Sequence, residues 1–76
     1  MEKAKVLMYL LKSTSWCRIG NFVASKTIKR DLQSAYNAVG LQRKAKATEI
    51  ADYLNATEIV KKIDGKPTRG YLIVNF

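Results

Sequence analysis

Arg43, Lys44 and Lys46 stand just ahead of Thr48 in the stretch 41–55, LQRKAKATEIADYLN. Thr48 is a suitable N-cap, and Ile50, Tyr53 and Leu54 follow at the i, i+3, i+4 spacing of an inward helix face. Cationic side chains beside the free N–H groups of a helix N-terminus can converge on one phosphate. Two further groups repeat the charge: Lys61, Lys62, Lys66 and Arg69 around DGKPTRG, and Lys26, Lys29 and Arg30 at the start of a second amphipathic run. The chemistry implied is ion pairing and hydrogen bonding to a polyanion.

The overall charge agrees. Fourteen Lys and Arg against six Asp and Glu give +8 and an isoelectric point near 9.9. A field of that density on a small chain favours nucleic acid, an anionic surface or an acidic protein. Other chemistries lack their residues. With no histidine and one cysteine, zinc binding is excluded, and Cys17 has no imidazole to deprotonate it. Among Asp31, Glu49, Asp52, Glu58 and Asp64, only Glu49 and Asp52 are held close by their i, i+3 spacing, and there they read as helix surface. Gly65-Lys66 and Gly70 lack the strand–loop–helix order of a phosphate-binding loop. The expectation is therefore a non-enzyme with no catalytic residues, no metal and no cofactor.

Seventy-six residues make a single domain, 1–76, with 47% hydrophobic and 26% charged residues, too apolar for disorder. A lone cysteine points to a reducing, intracellular compartment. The apolar run 6–11 falls well short of the ~20 residues that span a bilayer.

The elements that must position the cations follow from periodicity. Ala4, Leu7, Met8 and Leu11, widened by Val6 and Leu10, predict a helix over 2–12 with that stripe in the core rather than on a membrane surface. Ser13-Thr14-Ser15 ends it, and Trp16 is read as a core plug. Residues 18–23 predict a brief strand able to pair with the C-terminal hairpin. Ser25 then caps a helix over 26–39, where Ile28, Leu32, Ala35, Tyr36 and Val39 form one face and Gly40 supplies the left-handed stop. A third helix over 48–55 carries Glu49, Asp52 and Asn55 outward. Strands over 57–63 and 71–76 enclose a projecting loop, 64–70. In the first of these strands Lys61 shares a face with Ile59 and Ile63, which predicts a twist, a bulge or a snorkelling lysine; the second, apolar on both faces, suits the middle of a sheet.

The predicted order, α-β-α-α-β-β with a small antiparallel sheet, is an α+β class arrangement: that of a winged helix-turn-helix domain, in which the hairpin is the wing. The connection 40–47 is long for its usual turn. Ile28-x3-Leu32-x3-Tyr36-x3-Gly40, Ala47-Thr48-x-Ile50-x3-Leu54 and Lys62-x-Asp64-Gly65-Lys66-x2-Arg69-Gly70-Tyr71 together resemble the C-terminal winged-helix modules of viral and plasmid primase-helicases of the poxvirus type. The resemblance spans about residues 26–76. It implies a replication protein of a virus, phage or plasmid, and a module that binds DNA or docks a partner through Arg43, Lys44, Lys46, Lys66 and Arg69. It departs from that pattern in its acidic third helix, and no ATPase or primase motif accompanies it.

The combined expectation is a DNA-binding domain that favours duplex over single strands and works mainly through the phosphate backbone in replication or transcription control. Glu49 and Asp52 facing outward would keep helix three out of a groove, leaving the lead-in and the wing to bind. The same carboxylates motivate the alternative, a protein-docking module in a replication or regulatory complex. Oligomeric state is not encoded in any motif here.

Overall fold

The computed structural model describes residues 2–75, with Glu2 in its backbone only; the expected last strand residue, Phe76, and Met1 lie outside the described residues. Helix α1, Glu2–Ser13, packs on α2, Ser25–Val39. From α1 it is Val6 and Leu10, one helical turn apart, that are wholly buried, against Ile28, Leu32, Ala35 and Tyr36 of α2. Each Val, Leu or Ile side chain so removed from water stabilises by about 1.5–3 kcal/mol. The expected stripe is corrected here: Leu7 is half-buried, and Ala4, Met8 and Leu11 are exposed. Apolar residues surround much of α1, so periodicity admits more than one inward face, and contact with α2 selects the Val6–Leu10 side.

After α1, Thr14 closes the helix by donating its hydroxyl to the Leu10 carbonyl at 2.6 Å. Trp16 packs against the core as expected. Its indole N–H also donates to Asp31 Oδ2 at 2.6 Å, which pins the loop to α2. The first strand, β1, is Phe22–Ala24 and not 18–23, because Arg18–Gly20 turn instead: the Asn21 N–H reaches the Arg18 carbonyl at 3.2 Å. This strand runs directly into α2, so the extended cap residue is Ala24 (ψ 145) and Ser25 is already helical, without a side-chain cap. At the far end Gly40 takes φ 82, its N–H reaching Asn37 O and the Leu41 N–H reaching Tyr36 O. That double bond pattern is a Schellman stop, as the sequence predicts.

The third helix differs most from expectation. It is a 3-10 helix, Ala47–Asp52, with Lys46 rather than Thr48 at the cap position. Asn55 is already committed to strand β2, Asn55–Ile63, and the remaining residues are too few for an α-helix of useful length. Its anchor is the fully buried Ile50.

Strand β3, Lys66–Asn75, lies between β1 and β2 in a three-stranded antiparallel sheet of order β1-β3-β2. The predicted central position of this strand is thus observed, and the arrangement is that of a winged helix-turn-helix domain. Between β2 and β3 the expected seven-residue loop 64–70 is replaced by a two-residue turn at Asp64-Gly65, with φ 53 and 80. Two positive φ values at an Asp-Gly pair match the twist of an antiparallel hairpin. Lys66–Gly70 is therefore strand, and Pro67, opposite Lys62, sits where β3 has outrun β1 and needs no N–H donor on its open edge. The wing still projects, as a two-stranded arm: residues 60–63 of β2 and Lys66, Pro67 and Arg69 of β3 are all exposed, and the molecule measures 38 × 22 × 18 Å. The register is regular from Ala56 to Ile63, so β2 carries no bulge at Lys61. Lys61 instead places its ammonium 5.6 Å from the centre of the Phe22 ring. That ring lies over Gly70, where any Cβ would strike it and the Val23 carbonyl oxygen.

Candidate nucleic-acid interface

The lead-in and the 3-10 helix are fastened to α2 by a polar cluster built on a buried tyrosine. Tyr36 is wholly buried on the core face of α2, so its hydroxyl needs partners. It donates to Glu49 Oε1 at 3.1 Å and accepts from the Tyr53 hydroxyl at 2.9 Å. The Arg43 guanidinium lies 4.9 Å from the Tyr36 ring centre, donates to the Tyr36 hydroxyl at 3.3 Å and to Tyr53 at 3.5 Å, and stands 3.7 Å from Glu49 Oε2. Glu49 Oε1 also accepts the Lys46 backbone N–H at 3.0 Å. Gln33 completes the attachment, donating to the Arg43 carbonyl at 3.1 Å and accepting the Ala45 N–H at 2.9 Å.

These contacts set the charge states. The Lys46 backbone N–H, assisted by the Tyr36 hydroxyl and the nearby cations Arg43 and Lys46, holds the Glu49 carboxyl below the usual glutamate range despite partial burial. Burial, with the Tyr53 hydrogen bond, pushes the Tyr36 phenol far above its ordinary value. Arg43 is held still more firmly cationic, first by its bond to Tyr36 and then by Tyr53. Near the sheet, burial raises the Tyr71 phenol, whose hydroxyl donates to Glu58 at 3.4 Å. Burial also raises the Cys17 thiol, which suits a core residue more than a nucleophile.

The expected outward acidic face is therefore corrected: Glu49 turns inward, and Asp52 is the exposed carboxylate of the 3-10 helix. Arg43, Lys44 and Lys46 are all exposed, but the Arg43 guanidinium is engaged by the cluster and neither lysine takes part in an ion pair among the described residues. Thr48 is exposed within the helix rather than capping it, and the Glu49 carboxylate occupies the Lys46 N–H where a phosphate was expected. On α2, Lys26 and Lys29 are exposed and Arg30 pairs with Asp31 at 3.2 Å. The two ion pairs among the described residues thus engage arginines, and no lysine takes part in one.

The wing cations separate by strand alternation. Val60 opposite Arg69 and Lys62 opposite Pro67 continue the face of Tyr71, Ile73 and Val23, which is the face the helices cover. Lys61 opposite Thr68 and Ile63 opposite Lys66 belong to the other face, with Phe22. Lys62 and Arg69 are therefore on the helix side of the arm, and Lys61 and Lys66 are on its back.

Sequence reasoning found the cations but missed Tyr36, Tyr53 and Gln33 as the parts that place them. The available signal was a tyrosine at a core position of α2, whose hydroxyl must be satisfied from an adjoining segment. Among the described residues no group of three or more Asp, Glu, Cys or His is arranged to hold a metal, and no helix is long and apolar enough to cross a membrane. Compared with protein-family models, curated proteins and solved structures, the chain matches none.

Proposed function

We propose that this winged-helix domain binds duplex DNA, chiefly through the phosphate backbone, using Lys44 and Lys46 beside the 3-10 helix and Lys62 and Arg69 on the helix side of the wing. The observation that carries the reading is the inward turn of Glu49, which removes a carboxylate from the surface that the lead-in lysines share. Arg43 acts here as a positioning residue, holding the lead-in on α2, and Lys26, Lys29, Lys61 and Lys66 add long-range field. Contacts of this kind fix orientation without reading bases. The resemblance to primase-helicase modules supports a role in replication or transcription control of a virus, phage or plasmid. The alternative of protein docking through the third helix rests on Asp52 alone once Glu49 is withdrawn.

A salt titration with labelled duplex tests the proposal. Binding at about 50 mM salt should weaken with a log–log slope of roughly −0.9 per phosphate contact. Absence of binding at that salt would overturn it.

A further inference from the structure

We propose a second, independent surface: the groove between α1 and the C-terminal end of α2 docks an acidic amphipathic helix of a partner protein. The face of α1 turned away from Val6 and Leu10 is not polar. It carries Ala4, Met8 and Leu11 at i, i+4, i+7, with Met8 54% and Leu11 44% exposed. Beside Met8 runs an open groove of about 420 Å³, lined by Lys5, Met8, Tyr9 and Lys12 of α1 and by Ala38 and Val39 of α2. Tyr9 and Val39 are half-buried and packed on the core, so the groove has a firm apolar floor, while Met8 is a flexible, polarisable wall.

The rim charge selects the occupant. Lys5 and Lys12 are both exposed, and no carboxylate lines the groove among the described residues. Seven residues apart, they stand about 10 Å from one another along the helix axis. A second copy of this chain docking face to face would set these lysines against their equivalents in a molecule already at +8, so self-association is opposed. Nucleic acid would meet the lysines but leave Met8 and the groove floor uncovered. A partner helix with apolar residues at i, i+3 or i+4, and i+7, flanked by Asp or Glu two turns apart, satisfies both the floor and the rim. No groove residue belongs to the phosphate-binding set, so the two functions are separable.

The test is an NMR titration of the whole isotope-labelled chain with a synthetic helical peptide of about 18 residues bearing a leucine face flanked by glutamates. Shifts at the Met8 methyl, Tyr9 and the Val39 methyls are expected, with affinity weakened at least about tenfold in Lys5→Glu/Lys12→Glu. Met8→Glu should abolish those at Tyr9 and the Val39 methyls while leaving the circular dichroism and melting temperature unchanged, since Met8 is exposed. The proposal is overturned if these resonances do not move, if a lysine-for-glutamate version of the peptide binds equally, or if binding survives Met8→Glu. Concentration-dependent shifts at Met8 without peptide, or the same shifts produced by duplex DNA, would also overturn it, in favour of a second copy or of nucleic acid.

Discussion

The Tyr53 hydroxyl donates to the Tyr36 hydroxyl at 2.9 Å across edge-on rings whose centres are 6.2 Å apart. Through that contact the residue just after the 3-10 helix is tied to the last turn of α2, and the Arg43–Glu49 pair closes over it. The lead-in lysines owe their position to this joint.

Removing the buried hydroxyl tests the joint. Tyr36→Phe should destabilise by about 1–3 kcal/mol, because Glu49, Tyr53 and Arg43 all lose a partner. Tyr53→Phe should cost less, since Tyr36 keeps Glu49. Urea denaturation of the two variants should show the difference as a lower midpoint for Tyr36→Phe.

Acid should loosen the same region through Glu49. Its carboxyl is depressed in the folded state, so the folded chain holds fewer protons than the unfolded one as pH falls through the glutamate range. The stabilisation is fully present above the ordinary value of 4.5 and is lost as pH falls below it through the folded value. Thermal melts between about pH 7 and pH 3 should fall less steeply for Glu49→Gln than for the parent chain.

Gly70 permits the crossing of Phe22 over β3. Gly70→Ala should destabilise by about 1–3 kcal/mol, since its methyl would overlap both the Phe22 ring and a strand carbonyl. A fall in melting temperature of several degrees per kcal/mol is expected for a domain this small. A parent-like melt would show that β1 can shift to admit the methyl.

The face separation of the wing predicts unequal roles for its cations. Lys62→Ala/Arg69→Ala should lower the magnitude of the salt slope by nearly two contacts, about 0.9 each. Lys61→Ala/Lys66→Ala should change the slope little and weaken affinity only through the general field. Equal effects from the two pairs would show that both faces of the arm touch DNA.

Helix α2 and its Gly40 stop were legible because the apolar spacing, the αL glycine and the following turn all lie within a few residues of one another. The order of elements and the central place of β3 were legible for the same reason. The hairpin turn was less so: Asp64-Gly65, Pro67 and Gly70 are all turn-forming types, and only pairing of Lys66–Gly70 along β2 decides that the first pair makes the bend. In α1 the apolar residues surround the helix, so the buried face is chosen by α2.

The sequence by itself determined the charge, the winged-helix order of elements and which segments carry the cations, since each depends on composition or on neighbours close along the chain. Only the tertiary structure decided that Glu49 turns inward and that Arg43, though exposed, is paired with it, while Lys44 and Lys46 stay exposed outside any ion pair among the described residues. The physical reason is that Glu49 had two satisfactory states, solvated or paired. A buried hydroxyl thirteen residues away, on Tyr36, makes the paired state the one that leaves no polar group stranded.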